Sequence, residues 1–464
     1  MTPYNPENQY RCTIIRGKSQ NEIEDLLPAY ANIITDICPC DRKIFIDLFN
    51  KAIAKFLPSP TEKTIANHRT EITGKLFGMY WEDEIGVVHA SARTEQLLEN
   101  RDNPAFFKDI VSKFQFPNGM DNIQMRSTID RVQNKIRLRP IAYILKLLLE
   151  AFKTKNILTK NEIAYYVLNN LDVLQGKVRT GTVLKTILER RKKGVFKHVE
   201  YPGKESSYSM QHITELLNIV ELANLIRQKR GNHVVLIYLN LMELQTIEYL
   251  SSEGESSPEF DVYTYDLNSI EDKKNMLLDW GKFYAQLDSR SEIFSTTAQS
   301  LTEESEFLFG TVAPVGIDTT VIGREGEALV FAREKNRVQE FNTRLVNKVI
   351  YFGKQKGLGY DISSIRAILG PKAEHSIYIE VKSTKRITRP KTPLKDQFDL
   401  TRNEWVAAEQ HKNNYYIHRV YFTNEGPFVF VINNPVQQRE NGTIYAEPLK
   451  YHIEFTDVSG LWEP

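Results

Sequence analysis

The sequence predicts a multidomain protein: a mainly α N-terminal half, then a C-terminal α/β domain built on a mixed sheet. Three observations carry this. A chain of 464 residues exceeds what one hydrophobic core normally organises, so two to four domains are expected. Apolar residues recur at helical spacing through the first half. From Lys348 onward, short strand-like runs take over.

Composition narrows the class. The apolar fraction of 41% with 26% charged residues is that of an ordinary globular protein. No apolar run approaches the roughly 18 residues needed to cross a bilayer, so no membrane partner is expected. MTPYNPENQYRC has no apolar h-region, and three cysteines (Cys12, Cys38, Cys40) make no disulfide framework; both point to a reducing cytoplasm. Cys38-Pro39-Cys40 looks like half a metal site, but no second cysteine pair accompanies it.

The net charge of +1 hides a segregation of charge. Arg126 to Arg230 holds 21 Lys+Arg against 9 Asp+Glu, a net of +12, whereas Glu243 to Glu306 holds 4 against 15, a net of −11. Such blocks fit a domain facing a polyanion, followed by an acidic connection. They equally fit two faces that neutralise each other.

Residues 1–30 read as a polar arm carrying Arg11, Arg16 and Lys18. From Asp41 to Phe56, Phe45, Leu48, Phe49, Ala52, Ile53 and Phe56 keep helical spacing, and Pro58 and Pro60 end the helix. A second helical pattern starts near Thr61, and "EIGVVHASARTEQLLEN" is a short β-like piece running into a helix. Helix, helix, hairpin, helix is the order of a winged helix-turn-helix. The pattern recurs in "RPIAYILKLLLEAFK", in "LTKNEIAYYVLNN" with its Thr159–Glu162 capping box, and in "RTGTVLKTILERRKKGVFKH". "GKESSYSM" reads as the wing of this second copy, and "ITELLNIVELANLIR" as a closing helix. Two winged-helix modules are therefore expected, at 31–135 and 136–250, followed by an acidic linker at 251–310 that begins with "SSEGESSP".

The third helix of the second module is the natural candidate to enter a DNA groove. Arg179, Lys185, Arg190, Arg191, Lys192 and Lys193 cluster on and around it. A solvated basic helix end, favoured by the macrodipole, is the alternative reading.

Chemistry concentrates in residues 311–464, where the element order reads α-β-β-β-α-β-β. In "SIYIEVKST", strand alternation puts Ile377, Ile379 and Val381 on one face and Tyr378, Glu380 and Lys382 on the other. Asp361 opens the preceding strand-like run, and a hairpin can return it to Glu380. Glu327 stands in the first turn of an upstream helix. Two or three carboxylates with one lysine are the groups that metal-dependent phosphodiester hydrolysis uses, because Mg²⁺ takes hard oxygen ligands and a lysine orients water or stabilises phosphate charge. Glu-x-Lys alone is a weak signal, and the other two carboxylates strengthen it. Thr401 and Glu404 form another capping box and read as structural. No G-x-x-x-x-G-K-[ST] is present, so no nucleotide cofactor is expected.

"GREGE", "GYDI", "YIEVKST" and "FDLTRNEW…YYIHRVY" together resemble the PD-(D/E)XK nuclease superfamily over about residues 320–435, most closely its Holliday-junction-resolvase-like branch and the NO VEIN C-terminal-like domain. The resemblance implies that Asp361, Glu380 and Lys382 form the catalytic core, with Glu327 as an additional carboxylate, and that Mg²⁺ is the cofactor. Tyr360 stands where the signature has proline. Behind two winged-helix modules, such a domain is similar to the type IIS restriction endonucleases. That resemblance implies recognition of double-stranded DNA by the N-terminal half and cleavage outside the recognised sequence. Since one site cuts one strand, a homodimer is expected at least during cleavage. A structure-selective repair or resolvase-like nuclease and a non-catalytic DNA-binding regulator are the rival expectations.

Overall fold

The computed structural model describes residues 9–447 except 11–12, 16, 201–204, 232–233, 303–321, 354–356 and 392–395. It forms two units. One comprises Met1–Ile322, Ser383–Gln397 and Tyr421–Phe428; the other comprises Gly323–Lys382, Phe398–Val420 and Val429–Pro464.

In the first unit the expected arm is shorter than residues 1–30. Ser19 and Glu22 form a reciprocal capping box that starts the helix Gln20–Ile37. Ile23, Leu27, Tyr30 and Ile34 fall on one face of it and are buried. Burial of that stripe outweighs the backbone hydrogen bond lost at Pro28, inside the helix. Arg11 and Arg16 lie outside the described residues, and Lys18 is half-buried.

A helix–strand–helix–helix–strand–strand order follows. Its members are Gln20–Ile37, Cys40–Asp41, Arg42–Ala54, Glu62–Asn67 continuing as a π-helix over His68–Leu76, Tyr80–Glu82 and Val87–Ala90. Val87–Ala90 is the central strand of their antiparallel three-stranded sheet. The order recurs in Pro140–Lys153, Leu158–Thr159, the helical residues 160–168, Thr180–Lys192, Ile226–Arg230 and Val235–Leu239. Here Val235–Leu239 is central. The second copy differs from expectation at one point: of the expected wing, residues 203–204 lie outside the described residues and residues 205–210 are not a hairpin. A helix, Glu205–Leu222, begins there because Ile213, Leu216, Leu217 and Val220 supply a buried helical stripe, and the hairpin comes after it.

Residues 251–302 are likewise packed rather than extended as a linker. Val262, Met276, Trp280, Tyr284, Phe294 and Leu301 are all buried. The acidic block meets the basic one in pairs: Arg137 with Asp261 at 2.7 Å, Arg139 with Glu253 at 3.6 Å, and Lys146 with Glu255 at 2.9 Å. Mutual neutralisation thus accounts for part of the charge segregation. Each pair is partly exposed and worth about 1 kcal/mol or less.

Residues 383–397 are tied into this unit by a buried carboxylate. Glu24 accepts the N–H groups of Ile387 at 2.7 Å and Thr388 at 2.8 Å, and the Thr388 hydroxyl at 2.7 Å. Arg386 lies beside it and pairs with Asp25 at 2.8 Å.

The five-stranded sheet runs in the order Gly426–Asn433, Tyr415–Thr423, Ser376–Lys385, Ile362–Ile365, Ile350–Tyr351. The last three strands pair antiparallel. Beyond Ser376–Lys385, Arg386 N–H donates to Phe422 O at 3.0 Å and Asn424 N–H to Ile387 O at 3.2 Å. Those two strands therefore run in the same direction and the sheet is mixed. Parallel neighbours need a crossover, and the helix Arg402–His411 provides it. The element order agrees with the sequence reading. Upstream, the helix Ile322–Phe341 buries Val330 and Val338, and Arg337 fixes it by donating to Ile365 O at 2.6 Å and Arg366 O at 2.7 Å.

Candidate functional site

Antiparallel register brings the first carboxylate to the second. Ile362 pairs with Ile379, and Asp361 N–H donates to Ile379 O at 2.9 Å. Two residues further along that strand, the N–H of Val381 donates to Oδ2 of Asp361 at 2.8 Å. Asp361 thus spans the two residues that flank Glu380 and sets its carboxyl beside that residue.

Gly359 makes this approach possible. Its φ is +77°, and a Cβ there would lie 2.4 Å from Asn403 O and 2.8 Å from the Ala407 methyl. The chain therefore passes directly against the Arg402–His411 helix before reaching Asp361, a path open to glycine alone.

On the Ser376–Lys385 strand, alternation works as expected at Ile377, Ile379 and Val381, which are buried. Glu380 is buried as well, only 4% exposed. The Lys382 ammonium lies 2.8 Å from Glu380 Oε1 and 2.9 Å from Glu404 Oε2. Burial, more than Lys382 relieves and with Asp361 and Glu404 adding to it, pushes Glu380 up to about 9. Burial also raises Asp361. Burial pulls the Lys382 ammonium down, but Glu380 and Glu404 outweigh it and leave it raised. Two neighbouring carboxyl groups thus bind protons more readily than free ones.

Glu327 is placed on the flank. Its Oε2 accepts the Tyr351 hydroxyl, and a Cβ at Gly353 would come within 2.2 Å of that oxygen. Tyr351 pairs with Ile362, next to Asp361, so Glu327 faces the adjoining strand position. Among the described residues no three carboxylate, imidazole or thiol groups gather as a metal site, so Glu327 does not join Asp361 and Glu380 as a third converging ligand.

Glu404 is a residue of the cluster that sequence reasoning does not find. The sequence marks it only as a cap, and it is one: Thr401 N–H donates to Glu404 Oε2 at 2.9 Å, and Glu404 N–H to Thr401 Oγ1 at 3.3 Å. The same Oε2 also receives Lys382. Nothing in "LTRNEW" distinguishes such a glutamate from an ordinary capping box.

The basic helix Thr180–Lys192 divides its charges. Arg191 is turned inward onto Glu162, with Nε at 2.6 Å and Nη2 at 2.5 Å, and its Nη2 also donates to Ile157 O at 2.8 Å. Arg190 lies over the Tyr166 ring at 5.4 Å. Arg179, Lys185, Lys192 and Lys193 are exposed.

The family model described as "Restriction endonuclease BpuJI - N terminal" matches residues 4–281, which is more than half of the sequence. The chain belongs to the BpuJI N-terminal restriction endonuclease family. A solved structure, that of pyrene- and phenanthrene-modified DNA in complex with the BpuJ1 endonuclease binding domain, is 52% identical with a TM-score of 0.57. The match covers 61% of this chain and 99% of that one. Beyond the BpuJI-like part, the model "Protein NO VEIN, C-terminal" matches residues 326–432, a span containing Glu327, Asp361, Glu380, Lys382 and Glu404. No curated protein matches. No helix among the described residues is long and apolar enough to cross a membrane.

Proposed function

We propose that the chain is a type IIS restriction endonuclease, reading double-stranded DNA with its first unit and hydrolysing it outside the recognised sequence with its second. The observation that carries the reading is the Asp361–Glu380–Lys382 cluster, in a chain whose other part is 52% identical to a DNA-bound endonuclease domain. The two helix–strand–helix–helix–strand–strand repeats support winged helix-turn-helix modules. The mixed sheet with its charged strand pair supports a PD-(D/E)XK fold.

Asp361 and Glu380 would hold Mg²⁺. A buried and a half-buried carboxylate on neighbouring strands are a donor set of the right kind, since Mg²⁺ settles on one or two carboxylates and completes its shell with water and phosphate oxygens. The ion supplies Lewis acidity toward the scissile phosphate and its attacking water. Asp361 is kept in place by the Val381 N–H, so its carboxylate need not reorganise. Lys382 holds its ammonium at the edge of the pair, where it orients the attacking water and offsets charge on the phosphate. Water adds to phosphorus, the sugar oxygen leaves, and it takes up a proton. Glu327 tunes the site from Tyr351. No nucleotide takes part. One such centre cuts one strand, so two copies of the chain meet during cleavage.

Incubating the purified protein with plasmid and random linear duplex in Mg²⁺, beside Lys382→Ala and Asp361→Ala, tests this. Discrete fragments from wild type and intact DNA from both variants are expected. Cleavage confined to branched substrates favours a resolvase-like nuclease instead. A wild type that leaves all DNA intact overturns the reading and favours a DNA-binding regulator.

A further inference from the structure

We infer that Glu404 is a positioning residue for Lys382, holding its ammonium at the cleavage centre from the helix that crosses over the sheet. The inference rests on the nuclease reading above. Glu404 reaches Lys382 across 22 residues of sequence, and a single oxygen, Oε2, receives both Lys382 Nζ and Thr401 N–H at 2.9 Å. The Thr401 hydroxyl accepts the Glu404 N–H at 3.3 Å and caps the helix, whereas the carboxylate itself is held by the Thr401 backbone N–H.

The cap does not explain the charge. At this position of a capping box glutamine also supplies the acceptor, and the helix macrodipole favours the carboxylate by only about 0.3–1 kcal/mol. The Glu404 side chain, only 14% exposed, lies 2.9 Å from the ammonium of a lysine side chain 21% exposed, an ion pair that the cap does not require.

Lys382 has two partners on two different elements, Glu380 on the strand and Glu404 on the helix. In the proposed reaction Glu380 turns its charge to the cation. Glu404 is then the partner left to keep Nζ in place. Without it, a four-carbon side chain with free rotors has no carboxylate of the protein to hold it ahead of the phosphate.

Glu404→Gln and Thr401→Ala separate the two roles. The first keeps the cap acceptor and removes the charge; the second removes the hydroxyl cap and keeps the charge. In single-turnover cleavage, Glu404→Gln is expected to lower the rate roughly tenfold to a hundredfold at unchanged DNA affinity, the scale of a misplaced group in an organised site. Thr401→Ala is expected to stay within about twofold while melting at a lower temperature. The lysine ammonium resonance that disappears in Lys382→Arg identifies Lys382 in the metal-free protein. That signal should persist in Thr401→Ala and broaden or vanish in Glu404→Gln. A Glu404→Gln protein with wild-type rate and an intact signal overturns the inference, and so does an equal rate loss in Thr401→Ala. If wild type cuts no DNA, the nuclease reading falls and takes the catalytic role of Glu404 with it, while the ammonium signal still reports whether Glu404 anchors Lys382.

Discussion

Oδ2 of Asp361 accepts the backbone N–H of Val381 at 2.8 Å, across the two strands whose charges form the candidate centre. Asp361→Ala removes both a proposed metal ligand and the acceptor of that N–H. Cleavage should fall by at least about a hundredfold, the scale of several kcal/mol of lost charge stabilisation. Stability should fall by about 1 kcal/mol for the N–H left without its acceptor. Asp361→Asn keeps an acceptor and should recover stability without activity. Active Asp361→Asn protein would remove Asp361 from the metal site.

Arg191 and its neighbours should separate by role. Arg191→Ala breaks the two bonds to Glu162 and should cost about 1–3 kcal/mol in denaturant unfolding. Lys192→Ala with Lys193→Ala should leave stability unchanged. If these exposed lysines touch phosphates, the slope of log affinity against log salt should flatten by about 0.9 for each phosphate no longer neutralised. An unchanged slope moves the interface away from this helix end.

His68 is buried against the Tyr30 hydroxyl. Burial, with Lys18 nearby, lowers its pKa to about 4. Unfolded, it titrates near 6.5. Between these values the unfolded chain binds a proton that the folded chain refuses, so stability should fall as pH drops from about 6.5 toward 4, by at most about 3 kcal/mol. Urea titrations at pH 7 and pH 5 should show a smaller pH-dependent loss in His68→Gln than in wild type. Equal losses would mean that His68 is not what the fold keeps neutral.

Glu24 should be among the costliest carboxylates to remove. Glu24→Ala leaves the Ile387 and Thr388 N–H groups without their acceptor, while Arg386 keeps Asp25, an expected loss of about 2–4 kcal/mol. Amide exchange at Ile387 and Thr388 should quicken correspondingly. Protection equal to wild type would show that other bonds hold residues 383–397 in the unit.

Legibility follows how local the physics is. Phe45, Phe49 and Ile53 announce their helix, and Ile377, Ile379 and Val381 their strand face, because burial follows periodicity along a single element. The helix Gln20–Ile37 is hidden in the sequence because residues 1–30 read as a polar arm, and only the packing of Leu27 and Tyr30 shows that the helix begins within it. The acidic residues near 251–261 look like linker because their basic partners Arg137, Arg139 and Lys146 lie more than a hundred residues away.

The sequence by itself determined the element order of the C-terminal half, the Glu380–Lys382 pair on one strand, and the candidacy of Asp361. Spacing within a strand and the turn before it are local facts. Tertiary structure alone decided that Asp361 lies on the Val381 N–H, that Glu327 turns to Tyr351, that Arg191 turns inward to Glu162, and that Glu404 reaches Lys382. Each of these depends on which element is laid against which, and a side chain's partner across such a contact leaves no mark on the spacing of residues along the chain.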